Sequence, residues 1–352
     1  MSIESYRLLV GCLALAGCSA SSVERHRDSP SAQLGQATVS VGTTKVSFED
    51  KTRHRPLVTR IWYPADSKTE SRNTALDWIF VARGVPEAPM AAKPEKLPLV
   101  LLSHGTGGST SSLVWIGEYL AAHGYLVAAV EHFGNAYGNE TPEGAIAQWR
   151  RPVDLSRALD ALLADSRFAS RIDANRVGAG GMSSGGYTVI ALAGGIYHPD
   201  RMGEHCRKNP PGRGCWPDAR AIFERLPDRD AASASYKDPR FRAVFAIAPA
   251  LGPGFAAEDL TDIKIPVGIV ASAQDEWVPL ADNAGHYAEL ISGAKLTVLP
   301  KGGHFAFLAV CNEQGRERAK DICIDIDPTV DRAAVHGQVE KLILEFFVTH
   351  LR

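Results

Sequence analysis

Gly181-Met182-Ser183-Ser184-Gly185 sets a hydroxyl between two glycines, each two residues away. The run before it, Val177 to Gly180, is small and β-biased, and the run after it, Tyr187 to Ala193, is apolar and reads as a helix. A serine at so sharp a strand-to-helix corner leaves the residues two before and two after it almost no room for a Cβ, which glycine alone lacks. The corner lifts the hydroxyl clear of the backbone, as a nucleophile requires. The N–H of Ser184, at the start of the helix, is placed to hold an anionic intermediate. Ser184 itself is a poor nucleophile candidate, because Met182 would then occupy a position where a side chain clashes. Ser183 is therefore the candidate.

A serine hydroxyl needs a base to take its proton and a carboxylate to orient that base. Of the eleven histidines, His304 follows the last strand-like run in a glycine-loosened stretch, Pro300-Lys301-Gly302-Gly303-His304-Phe305. Asp275, in Ala271-Ser272-Ala273-Gln274-Asp275-Glu276-Trp277, lies a few residues beyond the preceding strand. Glu276 beside it, and Asp259 and Asp262 further upstream, are the other carboxylates to weigh. A second N–H for a developing oxyanion is expected from Thr106 in the loop His104-Gly105-Thr106-Gly107.

The elements that must position these groups alternate in type. Thr38 to Phe48 and Leu57 to Pro64 alternate apolar and polar, as an antiparallel edge pair does. Residues 67–96 read as a loop with a short helix. Leu97 to Leu102 and Leu126 to Val130 are continuous apolar runs, the mark of strands buried on both faces. Helical runs cover Ser112 to His123 and Val153 to Ala164, and three more strands follow the corner at Phe241–Ala248, Ile265–Ala271 and Lys295–Pro300. A helix over Gln338–Leu351 closes the chain. This βαβα rhythm predicts an α/β fold with a mostly parallel, doubly wound sheet and antiparallel edge strands. Residues 196–240, rich in Pro, Arg, Asp and Gly, interrupt the rhythm and read as a cap insertion near the serine. Of the aromatic residues, Trp115, Phe133, Tyr137, Trp216, Phe255, Trp277 and Phe305 fall where they could line a pocket.

The 352 residues carry a net charge of -2 and no basic stripe, which speaks against nucleic acid and for a neutral small-molecule substrate. Arg7, the apolar run Leu8–Leu15 and then Leu15-Ala16-Gly17-Cys18 read as a lipoprotein-type signal peptide over residues 1–18, with Cys18 as the lipidated residue and membrane anchor. Residues 19–36 read as a flexible tether and 37–352 as the folded domain. Export to a bacterial envelope, facing the periplasm or on the outer membrane, leaves four cysteines in an oxidising compartment, in two local pairs, Cys206 with Cys215 and Cys311 with Cys323. No Cys-x-x-Cys spacing suggests a metal site.

Over about residues 37 to 350 the chain resembles the α/β-hydrolase superfamily, in a bacterial group similar to dienelactone hydrolases and platelet-activating-factor acetylhydrolases. The resemblance runs through Arg-Ile-Trp-Tyr-Pro-Ala at 60–65, Ser-His-Gly-Thr-Gly-Gly at 103–108, Arg-Pro-Val-Asp at 151–154, the serine corner, Asp275, and Gly-Gly-His-Phe-Ala-Phe-Leu at 302–308. Dienelactone hydrolases proper carry cysteine where this chain has Ser183. The resemblance implies the chain order Ser, acid, His, which sets aside His104 and His132. It further implies a serine esterase acting on short-chain or acetyl esters through an acyl-enzyme, with Ser183, His304 and Asp275 as the triad and no cofactor. Two other readings stay open: an amidase or peptidase using the same triad, and a non-catalytic surface binding lipoprotein.

Overall fold

The structure, a computed structural model, describes residues 39–66, 74–75, 77–209, 215 and 218–352. The expected signal segment and tether, Cys18 and Trp216 lie outside them.

Among the described residues eleven strands form: β1 (Val41–Asp50), β2 (Arg55–Pro64), β3 (Thr74–Ala75), β4 (Val81–Ala82), β5 (Val85–Pro86), β6 (Leu97–Ser103), β7 (Leu126–Val130), β8 (Ile172–Met182), β9 (Phe241–Ile247), β10 (Val267–Ser272) and β11 (Lys295–Leu299). Nine of them make one sheet in the order β11-β10-β9-β8-β6-β7-β2-β1-β5. From β11 to β7 every pairing is parallel, whereas β2 runs antiparallel to β7 and to β1. The helices are α1 (Val114–Ala122), α2 (Pro142–Ile146), α3 (Arg150–Ala164), α4 (Ser184–Ala193), α5 (Pro199–Lys208), α6 (Ala219–Arg225), α7 (Ala284–Leu290), α8 (Glu313–Arg318), α9 (Lys320–Cys323) and α10 (Arg332–His350).

Strand β6 shows why its sequence is a continuous apolar run. Leu99 and Leu101 join the core that α3, α4 and α7 cover, while Val100 and Leu102 join the core under α1 and α10. Side chains alternate across a strand, so a sheet with helices on both faces demands apolar residues at every position. The expected helix between residues 67 and 96 is absent among the described residues. The chain there forms the short β3–β4 pair and then β5, which adds to β1 as the outermost strand. The carboxy-terminal helix starts at Arg332, six residues before the expected Gln338, because Asp331 caps it by accepting the N–H of Ala333.

Residues 196–240 leave the sheet between α4 and β9 and carry α5 and α6. A satellite cluster of Ala147, Trp149, Leu226 and Ala232 joins this segment to the start of α3. Asp228 strengthens the joint, accepting from Trp149 Nε1 (3.1 Å) and Arg150 Nε (2.7 Å). Among the described residues two disulfides form, Cys206–Cys215 within the insertion and Cys311–Cys323 near the carboxy terminus.

Candidate active site

The corner between β8 and α4 is as tight as its glycines imply. A Cβ on Gly181 would stand 2.2 Å from the carbonyl oxygen of Gly185, and one on Gly185 would stand 1.9 Å from that of Ser103. Ser183 itself has φ 59° and ψ −120°, a backbone state that costs a non-glycine residue roughly 1–3 kcal/mol. The sheet holds it there: Ser183 N–H donates to Ile247 O (2.9 Å), and Ala250 N–H donates to Ser183 O (3.0 Å).

Asp275 and His304, 29 residues apart, meet beyond the ends of β10 and β11. His304 Nδ1 is 2.7 Å from Asp275 Oδ2, and both residues are buried. An ionised carboxylate only accepts, so the imidazole proton sits on Nδ1 and Nε2 keeps its lone pair. The other oxygen, Asp275 Oδ1, accepts the N–H groups of Trp277 (3.0 Å) and Val278 (2.8 Å), which fixes the carboxylate's plane. Glu276 instead accepts the backbone N–H of His304 at 3.4 Å and braces the loop. Asp259 is occupied elsewhere, by His198 (2.9 Å) and Arg201 (3.1 Å).

Ser183 and His304 line one cavity of about 1390 Å³. Ser183 Oγ makes no hydrogen bond among the described residues; in enzymes without substrate such contacts commonly close only in the complex. Gly105 abuts the serine, since a Cβ there would lie 3.2 Å from Ser183 Cβ. The next residue, Thr106, joins its hydroxyl to that of Ser184 at 2.8 Å. The N–H groups of Thr106 and Ser184 donate to no other group among the described residues.

Of the aromatic candidates, Tyr137, Trp277 and Phe305 line the cavity, the last two as a pair with ring centroids 5.3 Å apart. Trp115 and Phe133 do not. The Trp115 indole is buried under α10, stacked 3.9 Å from His336 and donating to Phe307 O, so it is core. Phe133 lies on the surface with the Arg55 guanidinium 5.8 Å over its ring. Phe255 packs among Tyr187, Tyr197 and Tyr287. Sequence reasoning missed Trp78, Phe80 and Phe223, which add to the apolar wall; the signal that could have found the first two is the run Trp78-Ile79-Phe80 in an otherwise Pro- and Ala-bearing segment. The insertion contributes Met202, the Cys206–Cys215 bridge and Phe223. Among the described residues the charged lining balances, with Lys45, Arg60, Arg207 and Arg220 against Asp77, Glu131, Asp200 and Asp321, so these groups favour neither sign of substrate.

The comparisons with known proteins agree with this architecture. Over 96 residues the chain is 35% identical to cutinase est2 of Thermobifida alba, a match covering 27% of this chain and 29% of that one. A 38-residue stretch is 55% identical to platelet-activating factor acetylhydrolase of Cavia porcellus, covering 11% of this chain and 9% of that one. These matches span under a third of either relative. In fold, the chain superposes on a ferulic acid esterase from Streptomyces cinnamoneus with a TM-score of 0.58 and 22% identity over 92% of each chain. The model of the alpha/beta hydrolase family matches residues 99–317, more than half of the chain, and the protein belongs to that family.

Proposed function

We propose that the protein is a serine hydrolase that cleaves carboxylic esters. The observation that carries this reading is the Asp275–His304 contact, with His304 lining the same cavity as a serine held in a strained corner. His304 Nε2 takes the proton of Ser183 as Oγ attacks the ester carbonyl. The carbonyl oxygen, now anionic, is held by the N–H groups of Thr106 and Ser184. Collapse breaks the bond to the alcohol, which leaves with the proton from His304. Water, deprotonated by the same imidazole, then releases the acid and restores Ser183. Asp275 keeps the ring oriented and steadies its charge.

The cavity of about 1390 Å³ exceeds what a short acyl group fills, and its apolar walls include Phe80, Trp277 and Phe305. This supports esters that combine a short acyl group with a bulky, uncharged alcohol. Two disulfides fit an oxidising compartment. With Leu15-Ala16-Gly17-Cys18 they support an exported protein anchored through lipid on Cys18.

The test is labelling by a fluorophosphonate, with hydrolysis of matched p-nitrophenyl ester and anilide substrates by wild type and Ser183→Ala. Labelling and ester cleavage by the wild type, both absent in the variant, are expected. Faster cleavage of the anilide would overturn the ester assignment, and an unlabelled, inactive wild type would overturn the hydrolase reading.

A further inference from the structure

Arg151 and Asp154 are fully buried at the start of α3, where charged side chains rarely stand unless paired. Asp154 accepts from Arg53 Nη2 (2.7 Å), from Arg55 Nε (3.1 Å) and Nη2 (3.0 Å), and from His132 Nδ1 (3.0 Å). With its proton on Nδ1, His132 offers a lone pair at Nε2 to Ser103 Oγ–H, 2.8 Å away. Ser103, His132 and Asp154 thus carry the residue types of a second triad. All three are sealed from solvent and Ser103 is the last residue of β6, so this serine is no nucleophile.

The cluster ends instead at the loop beside Ser183. The backbone N–H of His132 donates to His104 Nε2 (3.2 Å), which puts the His104 proton on Nδ1; that N–H donates to Gly105 O at 2.7 Å. Arg151 donates to the carbonyl of His104 and to Asn135 Oδ1. Burial holds both rings neutral, His132 with its pKa pushed down to about 3 and His104 well below the histidine range. A trans peptide sets its C=O and N–H on opposite sides of one rigid plane. Tying the Gly105 carbonyl to a buried ring therefore turns the N–H of Thr106 the other way, away from the cluster.

We infer that His104, braced by His132, Asp154 and Arg151, is a positioning residue that aims the Thr106 N–H at the oxyanion. This rests on the hydrolase reading and gives the Arg-Pro-Val-Asp stretch at 151–154 its role. The Gly108 N–H also donates to Gly105 O (3.1 Å), so loss of His104 loosens this peptide without freeing it. Losing an oxyanion donor outright costs about a hundred- to a thousandfold in rate, so a donor left in place but less firmly aimed should cost about ten- to a hundredfold.

The experiment compares wild type, His104→Leu, which cannot hold the Gly105 carbonyl, and His104→Asn, whose amide N–H stands near Nδ1. For each, kcat and KM on p-nitrophenyl butyrate are normalised to sites titrated by fluorophosphonate, and affinity for a trifluoromethyl ketone, which forms a tetrahedral adduct, is measured. In His104→Leu, kcat per titrated site should fall about ten- to a hundredfold at nearly constant KM, ketone affinity should fall by the same factor, and His104→Asn should recover most of both. Unchanged kcat per site, or lost kcat with unchanged ketone affinity, overturns the inference. Should His104→Leu fail to fold, the wild type still decides: the inference requires a slowly exchanging His104 Nδ1 proton in nitrogen-edited NMR, identified by its absence in His104→Asn. Without that proton it fails. A wild type that neither labels nor hydrolyses overturns the hydrolase reading itself, whereas an active wild type with an indifferent His104→Leu overturns only the positioning role.

Discussion

His336 offers a prediction whose size follows from its surroundings. Its ring stacks on Trp115 and its Nε2–H donates to Leu308 O at 2.9 Å, so the folded protein holds a neutral imidazole. Burial is the main cause of its depressed pKa, which the hydrogen bond to Leu308 partly restores and the Arg332 charge depresses further, leaving it at about 4. An exposed histidine in the unfolded chain takes a proton near pH 6.5, so between that value and 4 the unfolded state binds more protons and acid favours it. Between pH 7 and pH 5 this one side chain should remove about 2 kcal/mol of stability, rising to about 3 kcal/mol near pH 4. His132 adds a loss of about the same size at pH 5. Glu340, whose carboxyl burial pushes up to about 7, opposes both, because its folded form gains a proton as the pH drops. The total curve is therefore a poor test, and the difference between wild type and His336→Gln is the right one. The glutamine amide can keep the donor to Leu308 without titrating. Urea unfolding followed by tryptophan fluorescence from pH 7.5 to 4.5 should show the variant losing about 2 kcal/mol less than wild type between pH 7 and 5. Curves that stay parallel within about 0.5 kcal/mol would refute the claim that a buried neutral imidazole sets this slope.

Asp275→Asn should lower kcat about a hundred- to ten-thousandfold with little change in KM, because the amide no longer holds the proton on His304 Nδ1; steady-state kinetics on a p-nitrophenyl ester checks it. Gly185→Ala drives a Cβ to 1.9 Å from the Ser103 carbonyl, a backbone atom that cannot step aside, and should yield protein with no fluorophosphonate-reactive serine. Trp115→Ala and Trp277→Ala should separate core from pocket. The first should cost about 3–5 kcal/mol in urea unfolding, and the second should raise KM for esters of bulky alcohols while leaving stability within about 1 kcal/mol.

Local rules made the corner at Ser183 legible. Its strand, its helix and the two glycines that admit it lie within a dozen residues, and the constraint is steric and short-range. The same holds for the parallel strands, whose unbroken apolar runs record burial on two faces, and for two cysteine pairs closed over 9 and 12 residues. Other groups were visible but unassigned. His104 and His132 each end a strand, yet no spacing in the chain says that they meet, because β6 and β7 become neighbours only when the sheet forms. Arg53 and Arg55 lie about a hundred residues from Asp154, and Trp115 nearly two hundred from the Phe307 carbonyl that it reaches. Trp115 and Trp277 look alike as single aromatics on helical or loop segments. Packing under α10 made one of them core, and the cavity between the insertion and the strand ends claimed the other. The sequence by itself determined where a nucleophile could stand and in what kind of sheet, since backbone sterics and apolar periodicity act between near neighbours. Only the tertiary structure decided which charges are buried together and which side chains wall the cavity, because those contacts join residues that chain order keeps far apart.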